Sequence, residues 1–510
     1  MTNAVSNTAR LLHAAYVLGR YDALLPPEEV ARAPWAARFA LRMVKFGRKE
    51  NLQGGQQNAL TEALARLGPS YIKLGQFLAT RPDVIGAKRA FELKVLQDQL
   101  PPFDDVVARA IVERELEKPV TELFAHFGPP VAAASVAQVH RAITHDGRAL
   151  AVKILRPAIE TRFRNDIDSF AFAARLIERF SKAGRRLRPV SAVAMLEASM
   201  KLELDLRMEA SALSEIAENS KDDPGFRVPK VDWERCSKRV LATEWIEGTP
   251  MADVPGLRAR GFDLHGLADT VIQTFLRHAI RDGFFHADMH QGNLIVDHQG
   301  ILVAFDFGIT GRLSEADRLF LAEILYGFIS RDYLRIAQVH FDAGYVPHTQ
   351  DVDSFAQALR SIGEPIMGLP AEQISMSRLL TQLFDVTDQF HMQTQPQLLL
   401  LQKTMVVTEG VARTLNPNLN IWTASEPVVK YWIGRKLGPV GLLEQAVISL
   451  GSLAHLSLRM PELIGDARKI IGKLVEMTEV EQPKAVRWQT AALLVGAAAL
   501  VVIAIKMVLG

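Results

Sequence analysis

Short apolar runs bounded by turn residues alternate with helical periodicity through the middle of the chain. The runs are ALAVKIL at 149–155, RVLATEWI at 239–246, and NLIVD and ILVAF on either side of Gln299–Gly300. Runs of this length between turn residues predict strands. From Ser314 to about Glu479 the periodicity is helical, and the run LLLLQKTMVVTEGVARTL ends at Asn416–Pro417, a typical helix stop. The pattern predicts an α+β chain.

The order of these signals predicts a domain layout. We expect a helical N-terminal extension over 1–105, a small strand-bearing lobe over 106–246, a larger helical lobe over 247–480 and a membrane tail over 488–510. No internal repeat or low-complexity segment interrupts this order.

The tail is the one strong break in composition. Ala491–Gly510 reads AALLVGAAALVVIAIKMVLG, with Lys506 as its only charge. Such a helix is about 30 Å long, the thickness of the hydrocarbon core. Lys484, Arg487 and Trp488 precede it, and positive flanks favour the cytoplasmic side. The segment predicts a single-pass transmembrane anchor, with a buried hairpin helix as the alternative.

Two further segments carry positive charge without acid. Residues 1–21 lack the continuous apolar run of a secretory signal, and they contain Arg10 and Arg20, as a mitochondrial transit peptide would. Residues 36–49 read AARFALRMVKFGRK, with five basic residues and apolar ones at helical spacing. Either a helix on anionic lipid or a packed amphipathic helix fits this second pattern.

Composition narrows the class. Of 510 residues 48% are apolar and 23% charged, as in folded proteins, and the net charge of +2 gives no basic field for nucleic acid. Cys236 is the only cysteine, so this chain alone builds no disulfide, zinc finger or iron–sulfur cluster. We therefore expect no nucleic-acid partner and a catalytic part that faces the cytosol.

One strand carries a charge in an apolar run. Lys153 lies within ALAVKIL, where an unpaired ammonium would be costly, so it requires a carboxylate partner. A helical segment from about Val193 to Asn219 offers Glu203, Asp205 and Glu209. We assign Glu203 as the partner.

A second motif turns this lysine into a candidate for phosphoryl transfer. HADMHQGN at 286–293 places Asp288 and Asn293 five residues apart, and DFG follows at 306–308. This spacing resembles the protein-kinase set in which the first Asp is the base, while the Asn and the second Asp, here Asp306, hold magnesium. The order predicts a protein-kinase-like two-lobed fold.

Several parts of an ordinary protein kinase are missing. In place of a glycine-rich loop stands PVAAASVAQVH, with three alanines and Ser135 at 132–135. Because alanine avoids positive φ, this loop should hold nucleotide in a different pose. Ala287 replaces the catalytic-loop arginine, and no A-P-E follows DFG. We expect neither a phosphorylated activation segment nor a docked peptide substrate.

A motif upstream of the lobes leads to a family. LGPSYIKLGQFLATRPDVI at 67–85 contains Lys73, Gly75 and Gln76 in a K-x-G-Q pattern, and LQDQLPP follows at 96–102. Lys73 and Gln76 fall about one helical turn apart and share a face. With the lobes, this resembles the UbiB family of atypical kinase-like proteins, associated with ubiquinone biosynthesis. The resemblance covers nearly the whole chain and implies a helix over the nucleotide pocket that closes it to protein substrates.

The resemblance implies roles for individual residues. Lys153 and Asp288 are catalytic, Asn293 and Asp306 hold metal, and Lys73, Gln76 and Asp205 cover the pocket. The nucleotide would be bound by Ala132, Ala133, Ala134, Ser135, Lys153, Glu203, Glu244, Trp245 and Ile246, the last three forming a hinge after a gatekeeper at Thr243. One departure is Gln291, where the family has proline, which we expect to loosen the turn before Asn293.

The combined interpretation is a membrane-anchored kinase or ATPase that uses ATP and Mg²⁺ to support ubiquinone biosynthesis. Its partners would be membrane lipid or polyprenyl-phenol intermediates and other proteins of that pathway. It would lie at the cytoplasmic membrane, or at the mitochondrial inner membrane in a eukaryote. Alternatives are a pseudokinase scaffold that binds nucleotide or lipid without turnover, and a small-molecule kinase of the aminoglycoside or choline type.

Overall fold

A computed structural model describes residues 2–21, 59–79, 93, 100–180, 185, 188–367, 386, 389–392 and 396–437. The chain divides into two compact units, 1–432 and 433–510. The basic segment at 36–49 and the predicted tail anchor at 488–510 lie outside the described residues. Among the helices that are described, none is long and apolar enough to span a bilayer.

Helices dominate both ends of the described chain. In chain order they are α1 (Thr2–Arg20), α2 (Ala59–Leu67), α3 (Pro69–Ala79), α4 (Asp105–Leu116), α5 (Val120–Leu123), α6 (Ile159–Phe180), α7 (Pro189–Glu203), α8 (Leu206–Asn219), α9 (Val254–Ala259), α10 (Leu264–Leu276), α11 (Glu315–Ser330), α12 (Tyr333–Asp342), α13 (Val352–Met367), α14 (Pro396–Leu415) and α15 (Ile421–Leu437). Short 3-10 turns form at Trp233–Arg235 and Gln291–Asn293, and a π-helical turn at Arg277–Asp282.

The strands lie between these helices, as the apolar runs predicted. They are β1 (His126–Ala133), β2 (Ala137–Ile143), β3 (Ala149–Leu155), β4 (Phe226–Arg227), β5 (Val240–Glu244), β6 (Gly248–Pro250), β7 (Phe284–His286), β8 (Leu294–Asp297), β9 (Leu302–Ala304) and β10 (Thr310–Arg312). The predicted strand at 149–155 is confirmed residue for residue. The predicted hairpin around Gln299–Gly300 is confirmed as the antiparallel pair β8 and β9.

The first lobe is an antiparallel sheet in the order β1-β2-β3-β5. In β3 the side chains of Leu150, Val152 and Ile154 are buried in a core shared with α4 and α5. Because side chains alternate along a strand, Lys153 points to the opposite face. The strand pattern that made Lys153 conspicuous thus places it in the cleft.

The helical extension docks on the first lobe through α6. The ring of Tyr71 on α3 packs edge-on against Phe170 of α6, with centroids 5.0 Å apart. Gly68 joins α2 to α3 with φ of 103°, and the Arg162 guanidinium donates to the Leu67 carbonyl beside it at 2.8 Å. A side chain at Gly68 would meet that guanidinium. The turn therefore fixes the direction in which α3 presents its face.

The second lobe combines a small sheet with helices. Its strands run in the order β4-β9-β8-β6, and β7 pairs with β10. A core of α12 and α13 side chains, among them Tyr333, Ile336 and Phe355, lies further along the chain. The predicted helix stop at Asn416–Pro417 is confirmed, since α14 ends at Leu415.

His278 is a buried titratable group in this lobe. It lies on the π-helical turn, is 1% exposed and packs against the ring of Phe226. Neither ring nitrogen has a hydrogen-bond partner among the described residues. Burial lowers the pKa of His278 to about 3; the negative charge of Asp223 opposes this to a smaller extent, and the positive charge of Arg281 adds to it. The histidine is therefore neutral in the folded protein.

We expect His278→Leu to reduce acid sensitivity. Below pH 6.5 the unfolded chain takes up a proton that the folded chain does not, so stability is lost as the pH falls towards the folded-state pKa. From pH 6.5 to 5 this amounts to about 2 kcal/mol. Denaturant unfolding across that range should show a shallower pH slope in the variant, and identical slopes would contradict the assignment.

Candidate nucleotide and phosphoryl-transfer site

Lys153 is the centre of a charged triad in the cleft. Its Nζ donates to both carboxylate oxygens of Glu209, at 2.8 and 2.9 Å, and to Asp306 Oδ1 at 2.7 Å. The Lys153 and Glu209 side chains are 17% and 7% exposed, so this pair is well shielded from solvent. The triad joins β3 of the first lobe to α8 and to the DFG motif of the second.

The predicted partner Glu203 is therefore wrong. The helix is interrupted at Leu204–Asp205. The predicted single helix is therefore two helices, α7 and α8, and Glu203 is the last residue of α7. Asp205 is the N-cap of α8, where its carboxylate accepts from the Arg207 N–H at 3.2 Å. In the helix that begins at this cap, Glu209 of the first turn reaches Lys153.

A signal for Glu209 was present in the sequence. The buried face of α8 contains Leu206, Ala210, Leu213 and Ile216, and Glu209 falls on that same face. An acid on the apolar face of an amphipathic helix requires a partner. The Asp205 cap and this spacing together would have pointed to Glu209.

The three charges shift one another. Desolvation raises the pKa of Glu209 to about 7, against the attraction of Lys153. Desolvation in the cleft opposes the charged form of Asp306 too, but Lys153 and then Lys73 lower its pKa overall. Desolvation would lower the pKa of Lys153, and the two carboxylates more than reverse this. Lys153 and Asp306 are therefore firmly ionised at neutral pH.

Asp306 is held in an uncommon backbone conformation. Its φ is 62°, in the left-handed region, which aspartate tolerates better than most residues. Phe307 next to it is buried and its ring lies 4.5 Å from that of His286. The Nδ1 atom of His286 accepts from the Asp288 N–H at 3.2 Å. The HAD and DFG segments are thus packed into one unit.

The catalytic loop is also tied within itself. Asn293 Nδ2 donates to the Asp288 carbonyl at 3.0 Å, and the Asn293 carbonyl accepts from the Phe305 N–H at 3.0 Å. His290 Nδ1 accepts from the Gly292 N–H, and Gln291 Nε2 donates to Thr414 Oγ1 of α14 at 3.2 Å. These hydrogen bonds hold the turn at Gln291, although the lack of proline there predicts a looser turn.

The donor set suits a magnesium ion. Because Asn293 Nδ2 donates to the Asp288 carbonyl, the side-chain oxygen Oδ1 is the atom that can bind a metal ion. The Asp306 carboxylate, 45% exposed, lies one residue after the Phe305 amide that bonds to Asn293. One amide and one carboxylate oxygen are what Mg²⁺ uses when phosphates supply the rest. The assignment of metal to these two residues remains a prediction.

The alanine-rich loop forms a turn closed by a backbone hydrogen bond, and the nucleotide pose expected there stays a prediction. None of residues 132–135 has positive φ, and the Ala134 N–H donates to the Ala137 carbonyl at 2.8 Å. The Arg156 guanidinium donates to the Ala134 carbonyl at 3.0 and 2.8 Å and to the Pro101 carbonyl at 2.9 Å. Arg156 fixes the loop, a role that sequence reasoning missed because its partners are backbone carbonyls far away in sequence.

Hydrogen bonds within the sheet limit which groups of the predicted hinge, residues 244–246, could bind the base. The Trp245 N–H donates to the Ala149 carbonyl at 3.0 Å, which commits it to the sheet. The Glu244 carboxylate accepts from Arg227 Nη1 at 3.0 and 3.1 Å. Thr243 lies opposite Ala151 in the ladder. The Glu244 N–H likewise donates to the Lys230 carbonyl at 2.8 Å, so base recognition at 244–246 would use backbone groups other than these two amides, and it stays a prediction.

Helix α3 reaches the same cleft. Lys73 Nζ lies 3.0 Å from the Glu203 carboxylate, with both side chains about nine-tenths buried, and its charge contributes to the low pKa of Asp306. Gln76 is half-buried one turn further along α3. The positive charge of Lys73 thus acts on the DFG aspartate, and the covering of the pocket by Lys73, Gln76 and Asp205 stays a prediction.

No extended activation segment follows DFG. Gly308 leads directly into β10, and α11 begins at Glu315 behind a capping box formed by Ser314 and Asp317. Seven residues, 308–314, separate the DFG phenylalanine from this helix, and the absence of a phosphorylated activation segment and of a docked peptide stays a prediction.

Comparison with known proteins gives the same picture. Residues 95–340 match the ABC1 atypical kinase-like domain, and residues 359–420 match the UbiB helical domain. The chain is 40% identical to a probable protein kinase UbiB of Marinobacter nauticus, over 90% of this chain and 84% of that one. It is 35% identical to the Shewanella baltica protein of the same name, over 95% and 89%.

A solved structure shares the fold. The complex of Rv3197 with erythromycin, from Mycobacterium tuberculosis, aligns with a TM-score of 0.53 at 23% identity, covering 80% of this chain and 99% of that one. Fold and cleft define a kinase-like protein of mixed helix and sheet, a fold that implies nucleotide binding. The chain belongs to the UbiB family of atypical kinase-like proteins.

Proposed function

We propose that this protein turns over Mg-ATP in the cleft and supports ubiquinone biosynthesis at a membrane, acting on or near polyprenyl-phenol intermediates. The observation that carries the proposal is the triad of Lys153, Glu209 and Asp306, with the DFG segment bonded to the loop of Asp288 and Asn293 through the Phe305 N–H and the Asn293 carbonyl. The pathway follows from membership of the family.

Each residue has a role in this proposal. Lys153 binds the phosphates, and Glu209 keeps its ammonium oriented. Asp306 and Asn293 would hold Mg²⁺, which neutralises phosphate charge when bound. Asp288 orients the acceptor, either water or a phenol hydroxyl, and accepts its proton. Helix α3 with Lys73 restricts access to small groups.

A membrane location follows from the substrate class. Polyprenyl phenols partition into the bilayer, so an enzyme held there meets them at high local concentration. The apolar tail at 491–510 supports this proposal from sequence. We propose the cytoplasmic membrane, or the mitochondrial inner membrane in a eukaryote, with the kinase-like part facing the cytoplasm or matrix.

The test is phosphate release from Mg-ATP by the full chain, with and without anionic vesicles and a phenol headgroup mimic. We expect turnover that rises with vesicles and phenol, with a phosphorylated phenol sought by mass spectrometry. A chain lacking 491–510 should leave the membrane pellet while still binding nucleotide. Tight nucleotide binding without turnover would contradict the proposal and favour a scaffold.

A further inference from the structure

Helix α14, within the region that matches the UbiB helical domain, contacts the catalytic loop through two hydroxyls. The hydroxyl of Thr404, fully buried, lies within hydrogen-bond distance of two carbonyls, that of Ala287 at 3.0 Å and that of Leu400 in its own helix at 2.8 Å. Near the end of the helix, Thr414 Oγ1 accepts from Gln291 Nε2 at 3.2 Å. The two bonds fix α14 at both ends of the segment from Ala287 to Gln291.

The residue before Thr404 places a cation beside the catalytic carboxylate. Lys403 Nζ lies 3.6 Å from Asp288 Oδ1, and the ring of His290 lies 3.6 Å from Oδ2. Lys403 is 37% exposed and Asp288 is 29% exposed, so this pair borders the open part of the cleft. The loop itself, HADMHQGN, contains no lysine or arginine.

A cation at this position matches what phosphoryl transfer requires. Negative charge is spread over the transferring group and the attacking oxygen, and fixed cations stabilise it. The Asp288 carboxylate must also keep one orientation toward the acceptor. Within the loop the basic side chains are His290 and the buried His286, whereas Lys403 brings an ammonium group from α14.

We propose that Lys403 is a positioning residue for Asp288, held in place by Thr404, and that the helical domain thereby completes the phosphoryl-transfer site. This inference rests on the proposed turnover of ATP. As a half-exposed ion pair, Lys403 with Asp288 would add little to stability. The positioning role of Lys403 must therefore appear in turnover rather than in the melting temperature.

The first experiment compares Lys403→Met, Lys403→Arg and Lys430→Met in the full chain. Lys430 pairs with Glu426 on α15 and is a lysine of the helical region away from the loop. We expect Lys403→Met to lower kcat roughly 10- to 100-fold while KM for ATP and the thermal shift by Mg-nucleotide stay unchanged. Lys403→Arg should recover most of the rate, and equal turnover in Lys403→Met and Lys430→Met would overturn the inference.

A second experiment does not depend on turnover. Amine modification followed by mass spectrometry should show Lys403 protected by Mg²⁺ with a non-hydrolysable ATP analogue, and Lys430 modified equally with and without it. If the wild type hydrolyses no ATP, the proposed function fails, and protection of Lys403 still supports its place at the transfer site. Modification of Lys403 at the same rate in both conditions would overturn that place.

Discussion

Asp306→Asn is expected to abolish the stabilisation of the protein by Mg-ATP. The substitution keeps the size of the side chain but removes the one charged oxygen ligand in the predicted magnesium set, and it removes an ion pair with Lys153. Nucleotide at about 100 times its dissociation constant should add ~2.7 kcal/mol to the wild type, and close to nothing to the variant. Thermal unfolding with and without Mg-ATP measures the difference.

The matched control is Asp288→Asn. Asp288 lies in the same loop as Asn293 but has no metal role in the proposal, so this variant should keep the thermal shift and lose turnover. Magnesium dependence should also disappear only in Asp306→Asn. A full shift in Asp306→Asn would contradict the metal assignment.

Glu209→Gln is expected to lower turnover by about 10²-fold or more, whereas Glu203→Gln should lower it far less. Glu209 is the buried carboxylate that orients Lys153, and a neutral amide cannot hold the ammonium in the same way. Glu203 contacts Lys73 on α3 and lies outside the triad. Steady-state phosphate release with both variants gives the comparison.

The pH dependence of turnover gives a second comparison between Glu209→Gln and Glu203→Gln. Because the pKa of Glu209 is raised to about 7, the triad loses a negative charge as the pH falls through that value. Wild-type turnover should decline below pH 7, and in Glu209→Gln this decline should be weaker. Equal losses of turnover in Glu203→Gln and Glu209→Gln would contradict the assignment of the triad.

Local sequence signals predicted the elements that depend on neighbouring residues. The strand at 149–155 and the hairpin around Gln299–Gly300 follow from short apolar runs between turn residues, and the structure has both. The spacing of Asp288, Asn293 and Asp306 predicted one site because a loop and a hairpin connect them. The structure brings them together through the bond from the Phe305 N–H to the Asn293 carbonyl.

The ion-pair partner was harder to predict because three acids lie within seven residues. Glu203 was chosen on an assumed continuous helix, and the cap at Asp205 breaks that helix and redirects the pair to Glu209. Arg156 and Lys403 were missed for another reason: their partners lie far away in sequence. Contacts of that kind depend on how the elements pack, which periodicity does not specify.

The most direct test of the central claim is the rate of phosphate release from Mg-ATP by the purified full chain, beside Asp306→Asn and Asp288→Asn prepared identically. The account predicts measurable turnover in the wild type, loss of turnover in both variants, and loss of nucleotide binding only in Asp306→Asn. Turnover that persists in both variants, or a wild type that binds Mg-ATP without releasing phosphate, would contradict it.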